Sequence, residues 1–430
     1  MTCLIDFVGG DRMYASLKKL LQDSSLPIWI LSFYVFIWYM QIGDRFGILG
    51  AIRIEFIIGS LLIVLSLMAV SQPGAAAVNH YSGLIRAIVI FYLILIIYTF
   101  CSYNSQHSQT VFFDRVLKFS MFTLFIGALV RNEAELKLVL LGYFLAMFKI
   151  IQEGLVGGIG GGLVWENQGI PRLHGVTKMY VHPNSLSGLA VSALPFFIFL
   201  LPYQKRFIQL ILLGGIIGLL YIVMTTGSRT GYIATAVLFI CLLLRDGIFK
   251  PKTLMLLALS FTVMVAVVPQ SYKDRFGTMF KSKEEMGGSA NKRLEIIEDA
   301  WAISLKYPLG VGIQAFPYVR GLEFGREQDT HNLYLEVLTN LGPIGFIAFF
   351  AFIIAIFKVN LKSRKIFLQE DRRFLAELCY VVNLYILCRL VLGLFGMDLY
   401  EVYWWFAAGM TISLAKIASG LPAANKIIKY

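Results

Sequence analysis

Apolar runs of about 20 residues recur along the whole chain, and they limit its possible folds more than any other feature. The hydrocarbon core of a bilayer is about 30 Å thick, so a helix that crosses it needs about 20 apolar residues. Only 15% of the 430 residues are charged and 58% are hydrophobic, which excludes an ordinary soluble domain. The sequence therefore predicts an all-α polytopic membrane protein.

Hydropathy predicts about twelve transmembrane helices and one long polar segment before the tenth. The predicted spans are 27–42, 54–70, 84–101, 116–130, 136–152, 185–202, 207–225, 231–244, 253–269, 333–357, 375–395 and 403–418. The predicted organisation is an N-terminal segment 1–26, spans one to nine over 27–269 with an outer loop at 153–183, a loop 270–332, spans ten to twelve over 333–418, and a tail 419–430.

The distribution of Lys and Arg over the short connections predicts the orientation, because such cations are enriched on the cytoplasmic side. Four basic connections fall on one side of the membrane, together with both termini: 131–137, 203–206, 245–252 and 358–373. The segments 153–183 and 270–332 then face the periplasm. The second is itself rich in Lys and Arg, which indicates an anionic partner, although a merely solvated loop explains the charges equally well.

A histidine and an asparagine begin the tenth predicted span in "DTHNLYLEVLTNLG", residues 329–342. Asp329 or Thr330 is predicted as the N-cap, which places His331 and Asn332 in the first turn. The positive end of the helix lowers the pKa of His331, whereas Asp329 raises it, so the sign of the shift stays open. A neutral imidazole can accept a proton near pH 7, and a hydrogen-bonded structural histidine is the alternative.

Two arginines lie at predicted outer positions elsewhere in the chain. Arg229 occupies the turn "TTGSRTG" between the seventh and eighth spans, and Arg293 is in the first turn of a predicted amphipathic helix. The apolar face of that helix is predicted to contact either the outer leaflet or the bundle. Each arginine is a candidate phosphate ligand, and the alternative for both is a surface side chain that reaches the lipid headgroups.

Further polar groups are predicted on the same side. Arg172, His182 and Asn184 lie in "PRLHGVTKMYVHPNSLSGLA", residues 171–190, where Asn184 or Ser185 is a plausible N-cap of the sixth span. Arg389 lies in the outer third of the eleventh span and is predicted to face the same cavity or to pair with Asp398. The spacings of the histidines and cysteines favour no metal site, and none is predicted.

Four motifs in this order resemble the O-antigen ligase and polymerase family. They are "SRTG" (228–231), Arg293 followed by Trp301, "YPLGVGIQAF" (307–316) and "HNLYLEVLTNLGPIGF" (331–346). The resemblance covers about residues 170 to 350. It implies a GT-C-type glycosyltransferase with a long periplasmic loop that moves a glycan from a lipid diphosphate without a metal, nucleotide or other cofactor. No D-x-D motif is present, which disfavours a cytoplasmic nucleotide-sugar transferase.

The resemblance also implies roles for particular residues. Arg229, Arg293 and His331 match the catalytic positions of the family, and Arg172 with Asn184 matches a substrate-binding turn less closely. His182, Asn332 and Arg389 complete the predicted substrate-binding set, although the family does not explain His182.

The implied donor is an undecaprenyl-diphosphate-linked glycan at the periplasmic face of the inner membrane, and nucleic acid is not an expected partner. The acceptor is lipid A–core for a ligase, a repeat unit for a polymerase, or a protein side chain. Twelve spans and an isoelectric point near 9.4 favour the ligase. A transporter of anions or lipid-linked sugars is the non-enzymatic alternative, but its ionisable residues should cluster near the bilayer midplane.

Overall fold

The computed structural model describes residues 25–70, 80–167, 170–246 and 289–424, and every structural statement below concerns these residues. They form sixteen α-helices, one π-helical turn, a short 3-10 turn at Leu201–Tyr203 and one β-hairpin. The helices are α1 Leu26–Met40, α2 Ile42–Arg45, α3 Gly47–Ala51, α4 Ile54–Val70, α5 Ser82–Phe100, α6 Ser105–Val111, α7 Lys118–Leu129, α8 Glu133–Ile159, α9 Pro183–Leu200, α10 Arg206–Thr225, α11 Arg229–Asp246, α12 Ser289–Lys306, α13 Phe316–Phe324, α14 Leu333–Gln369, α15 Arg373–Leu392 and α16 Val402–Ser419. The π-helical turn is Phe112–Leu117, and the strands are β1 Val164–Asn167 and β2 Ile170–Leu173.

Every predicted span that falls within the described residues overlaps a helix. Five helical segments are long and apolar enough to cross a membrane by themselves: Ser82–Phe100, Pro183–Tyr203, Arg206–Thr225, Leu333–Gln369 and Arg373–Leu392. The ninth predicted span, 253–269, lies outside the described residues, as do most of the N-terminal segment, residues 270–288 of the predicted loop and the end of the tail. The class of fold is thus helical, with apolar helices of membrane-crossing length.

Two predicted boundaries were wrong. Helix α8 continues to Ile159, so the predicted outer loop begins as helix and then forms the hairpin, whose strands pair Val164 with Leu173 in antiparallel register. The fold is therefore not purely α-helical. Helix α14 continues to Gln369, through most of the predicted connection 358–373. The cations of that last section lie on exposed or partly exposed positions, where a helix tolerates them as well as a loop does.

Helix α14 is interrupted near its start, where a separate loop replaces the missing hydrogen bonds. Pro343 has no N–H to donate to the carbonyl of Thr339, and Gly342 adopts a positive φ of 60°. The N–H of Val311 donates to the Thr339 carbonyl instead, at 2.9 Å. The "YPLGVGIQAF" loop is thereby attached to the break, which fixes the position of α12 relative to the start of α14.

Helix α12 is amphipathic, as predicted, but its two apolar faces have different environments. Ile296, Ala300 and Ile303 are fully buried, and the latter two pack in a small core with residues of α13. The residues predicted to form the apolar face are 45–68% exposed: Leu294, Ile297, Trp301 and Leu305. This exposed face does not contact the bundle, and its placement on the outer leaflet stays a prediction; interfacial helices lie on a membrane in this way.

Candidate functional site

A cavity of about 680 Å³ lies at one end of the helical bundle. Eight helices have one end at or beside this cavity. Two of them end there, α1 and α15, and six begin there: α4, α7, α9, α11, α14 and α16. The antiparallel packing therefore places many chain turns together. Its lining includes four predicted site residues: His182, Asn184, His331 and Arg389. The volume is within the usual range for a small-molecule or substrate site, about 300–1,000 Å³.

His331 lies just before helix α14, in a strained conformation. The N-cap of α14 is Asn332, whose Oδ1 accepts hydrogen bonds from the N–H groups of Tyr334 and Leu335 at 2.9 and 3.0 Å. The prediction of Asp329 or Thr330 as the cap was therefore wrong, and His331 is not in the first turn. Its φ of 48° is unusual for a residue other than glycine and costs on the order of 1 kcal/mol, a cost that is often found at functional sites.

The surroundings of His331 favour its neutral form. Burial lowers the pKa of His331 below its usual value, the cations Arg293 and Arg320 lower it further, and Asp329 only partly opposes them. The direction of the pKa shift of His331, which the sequence left open, is therefore downward, and burial is its main cause. Burial also raises the pKa of Asp329 itself. A neutral imidazole in this position is able to accept a proton at physiological pH.

His182 is the N-cap of helix α9, a position that the sequence assigned to Asn184 or Ser185. Its Nδ1 accepts a hydrogen bond from the N–H of Asn184 at 3.2 Å, so Nε2 carries the proton in the neutral ring. Burial lowers the pKa of His182, and the positive charge of Arg172 lowers it further, as does the neighbouring ionisable ring of His331. His182 therefore offers a neutral N–H donor to the cavity.

Arg172 lies behind the cavity wall and connects two of its loops. Its guanidinium is 2% exposed and donates from Nε to the carbonyl of Thr226 and from Nη2 to Oδ1 of Asn184, both at 2.7 Å. These bonds hold the turn before α11 against the start of α9. Arg172 is thus placed to position Asn184 and the Arg229 turn. Asn332 also has a positioning role, because its Nδ2 donates a hydrogen bond to the carbonyl of Leu394 at 2.9 Å.

Arg229 and Arg293 approach the cavity from two further elements. Arg229 is the half-buried first residue of α11, and its neighbours on both sides, Ser228 and Thr230, line the cavity. Arg293 is exposed on α12, and its guanidinium carbon lies 5.4 Å from the ring centre of Phe395, another lining residue. Neither arginine lines the cavity itself: Arg229 lies between two lining residues in the chain, and Arg293 contacts a third.

Arg389 is buried inside the bundle and makes both contacts that the sequence suggested as alternatives. It is 2% exposed, lines the cavity and pairs with Oδ2 of Asp398 at 3.0 Å. Its guanidinium carbon also lies 3.1 Å from the ring centre of Tyr403, so a cation–π contact supplements the ion pair. A buried guanidinium needs such compensation, because taking its charge out of water is costly.

Sequence reasoning missed several lining residues at the ends of predicted spans. Glu401 precedes α16, and burial raises the pKa of this carboxyl to about 7, although Arg115 at 3.4 Å opposes the effect. Other missed lining residues come from α1, α4 and the start of α7: Trp38, Gln41, Glu55, Asp114, Arg115, Lys118 and Phe119. The available signal was their common position at outer ends of spans, which the predicted topology places on one side.

Together, the fold and the cavity define a class: a helical membrane protein with a partly buried site that holds a neutral imidazole and a buried arginine, with further arginines beside it. Such a site can stabilise developing negative charge and accept a proton. The family described as O-antigen ligase matches residues 214–350, a region that contains Arg229, Arg293 and His331. This part of the chain is similar to the O-antigen ligase family, in agreement with the resemblance seen in the motifs.

The match covers about a third of the chain and supports glycan transfer at the level of the family, with a lipid-linked glycan and an acceptor as the general kinds of substrate. No curated protein matches the chain.

Proposed function

We propose that the protein transfers a glycan from an undecaprenyl-diphosphate donor to an acceptor hydroxyl at the periplasmic face of the inner membrane. The acceptor in this proposal is lipid A–core, as in a ligase. The observation that supports the proposal most is that His331 and Arg389 line one cavity. Arg229 lies between two of its lining residues in the chain, and Arg293 contacts another lining residue.

The arginines suit the leaving group. When the bond between the anomeric carbon and the phosphate oxygen breaks, its electron pair passes to the diphosphate, which gains negative charge. Guanidinium groups donate paired hydrogen bonds to phosphate oxygens, and preorganised donors stabilise such charge most in a site that excludes water. Arg229 at the start of α11 and Arg293 at the cavity rim are the side chains proposed for this role.

The imidazole suits the nucleophile. The acceptor oxygen attacks the anomeric carbon, its proton passes to a ring nitrogen of His331, and a glycosidic bond forms as the diphosphate departs. The lowered pKa of His331 keeps the ring neutral before the reaction. The proton is afterwards released to solvent, so the step is balanced by atoms and charge without a further reactant. Holding both substrates at one membrane surface adds the benefit of proximity.

The substitution His331→Ala tests the proposal in the full-length protein reconstituted into liposomes. The donor is the lipid-linked glycan extracted from the host's own membranes, and the acceptor is purified core lipopolysaccharide. Loss of the base should lower the rate of transfer by about 10²- to 10⁴-fold, without a change in thermal stability.

The control is Arg372→Lys, at the opposite end of the bundle, where the side chain is 58% exposed; it should transfer at the wild-type rate. A near-normal rate for His331→Ala would remove the base assignment. The product distinguishes the possible acceptors: glycan added once to the core identifies a ligase, whereas longer glycan on the lipid carrier identifies a polymerase instead.

A further inference from the structure

The cavity has two walls of different chemistry. One carries His182, Asn184, His331 and Arg389, from α9, α14 and α15, and we call it the imidazole wall. The other is built where α1, α4 and α7 pack together, and we call it the α7 wall; its lining residues are Trp38, Gln41, Glu55, Asp114, Arg115, Lys118 and Phe119. The reaction proposed above uses only residues on or beside the imidazole wall, so the α7 wall has no assigned role.

The charges on and beside the α7 wall are largely compensated within the protein. Lys118 pairs with Asp114 at 2.7 Å, and Arg115 lies 3.4 Å from Glu401. Nearby, Lys178 lies 3.8 Å from Asp44. A wall of paired charges offers many hydrogen-bond donors and acceptors but little net attraction for an anion. It is therefore poorly suited to a diphosphate and well suited to an uncharged group rich in hydroxyls.

A local irregularity directs these side chains toward the cavity. The helical run from Ser105 to Leu129 contains the π-helical turn Phe112–Leu117, and such turns often occur at functional sites. Phe113, Asp114 and Arg115 are three consecutive exposed residues between the buried Phe112 and Val116. The wider turn thus presents two charged side chains beside each other at the wall.

Aromatic groups complete the wall. Trp38 and Phe119 pack edge to face with their ring centres 5.4 Å apart, and both line the cavity beside the charged residues. Aromatic rings next to hydrogen-bonding groups match a sugar ring, which has apolar C–H faces and a polar edge of hydroxyls. Gln41 adds an amide that both donates and accepts hydrogen bonds.

We propose that the α7 wall is a saccharide subsite, in which Asp114, Lys118 and Glu55 bind the hydroxyls of an uncharged sugar ring next to the reaction centre. This inference rests on the proposed function. Direct displacement places the leaving diphosphate and the attacking hydroxyl on opposite sides of the anomeric carbon. Sugar rings must therefore be held away from the diphosphate, on a surface with chemistry of its own. The ring belongs to either the donor glycan or the acceptor.

The variants Asp114→Asn and Lys118→Gln test the subsite in the same reconstituted assay, in which each substrate is titrated in turn while the other is saturating. Removal of one charged partner of the sugar hydroxyls should raise one KM about tenfold and leave kcat nearly unchanged. An increase in the KM for core lipopolysaccharide assigns the ring to the acceptor, and an increase in the KM for the lipid-linked glycan assigns it to the donor.

Two controls accompany these variants: the first tests for a general effect of breaking an ion pair, and the second for binding that depends on charge. Lys137→Gln breaks a pair of the same i,i+4 spacing, with Glu133 at 2.6 Å, near the other end of the bundle, and it should change neither KM. The increase caused by Lys118→Gln should also persist at high salt, because binding of an uncharged ring is not screened. An unchanged KM for both substrates, or an increase that disappears with salt, overturns the subsite. The proposed function fails separately, if His331→Ala transfers normally.

Discussion

The two ends of the helical bundle both carry cationic side chains, but those side chains differ in what surrounds them. At the cavity end, Arg172 and Arg389 are 2% exposed, and each is held by hydrogen bonds or an ion pair. At the other end, a cavity of about 510 Å³ is lined by Arg131, Arg372 and Lys416, and both of these arginines are exposed. Both ends carry exposed cations, and the buried arginines are what distinguishes the cavity end.

The difference has a physical meaning. An exposed cation at the end of a membrane helix costs little and can serve orientation. The partly buried Lys416 instead caps a helix, because it donates to the carbonyl of Gly127 at the end of α7 at 2.7 Å. A buried guanidinium loses several kcal/mol of hydration and persists only where the surrounding structure compensates it. The cavity end therefore concentrates costly features, which include the left-handed backbone of His331.

The largest predicted difference between the ends concerns stability. Asp398→Asn removes the carboxylate that compensates buried Arg389 and should destabilise the protein by about 3–5 kcal/mol. The matched change Glu377→Gln breaks the pair with Arg245 at the other end, where both side chains are about a quarter exposed, and should cost no more than about 1 kcal/mol. Thermal denaturation in detergent micelles measures both, and equal shifts would contradict the distinction.

The next prediction concerns catalysis. Arg229→Lys keeps the positive charge but loses the planar pair of donors, so transfer should slow by about 10²-fold if a diphosphate is bound in a bidentate manner. The same change at Arg372, on the exposed end, should leave the rate unaltered. Initial rates with saturating donor provide the measurement. A wild-type rate for Arg229→Lys would instead indicate an arginine that only contacts headgroups.

A smaller effect is expected where the loop 307–316 crosses the break in α14. A Cβ added at Gly342 would lie 2.7 Å from the carbonyl carbon of Leu309, in a backbone conformation with φ of 60°. Gly342→Ala should therefore lower the stability by about 2 kcal/mol. Gly214→Ala on α10, where a Cβ would meet nothing within 4 Å, should raise it by up to about 1 kcal/mol. Thermal denaturation distinguishes the two, and equal melting temperatures would contradict a strained crossing.

The sequence predicted the helices better than their ends, because a long apolar run is a local signal whereas an end depends on distant contacts. Asn332, rather than Asp329, caps α14, although both residue types suit the position. Asn332 is held by the carbonyl of Leu394, 62 residues further along the chain. The continuation of α14 to Gln369 was missed because exposed lysines are compatible with either helix or loop.

The candidate site was predictable to a similar degree. The motifs indicated Arg229, Arg293 and His331 as site residues. His331 lines the cavity, whereas Arg229 and Arg293 are next to lining residues, and the roles of all three stay predictions. Asp114 and Lys118 carry no such signal, because single charges at the ends of spans resemble ordinary interfacial anchors. Only the packing of α1, α4 and α7 brings them to the cavity.

The smallest predicted effect is a shift in the dependence of transfer on pH. His331 must be neutral to accept a proton, and burial with nearby cations lowers its pKa below the ordinary value of about 6.5. The rate should therefore rise with pH through an apparent pKa lower than 6.5 and then stay level. Asp329→Asn removes the one nearby group that raises this pKa, so the rise should move to still lower pH. Initial rates across a pH series measure the shift. Movement to higher pH would mean that His331 is not the group that titrates, and the cavity end would lose its proposed base.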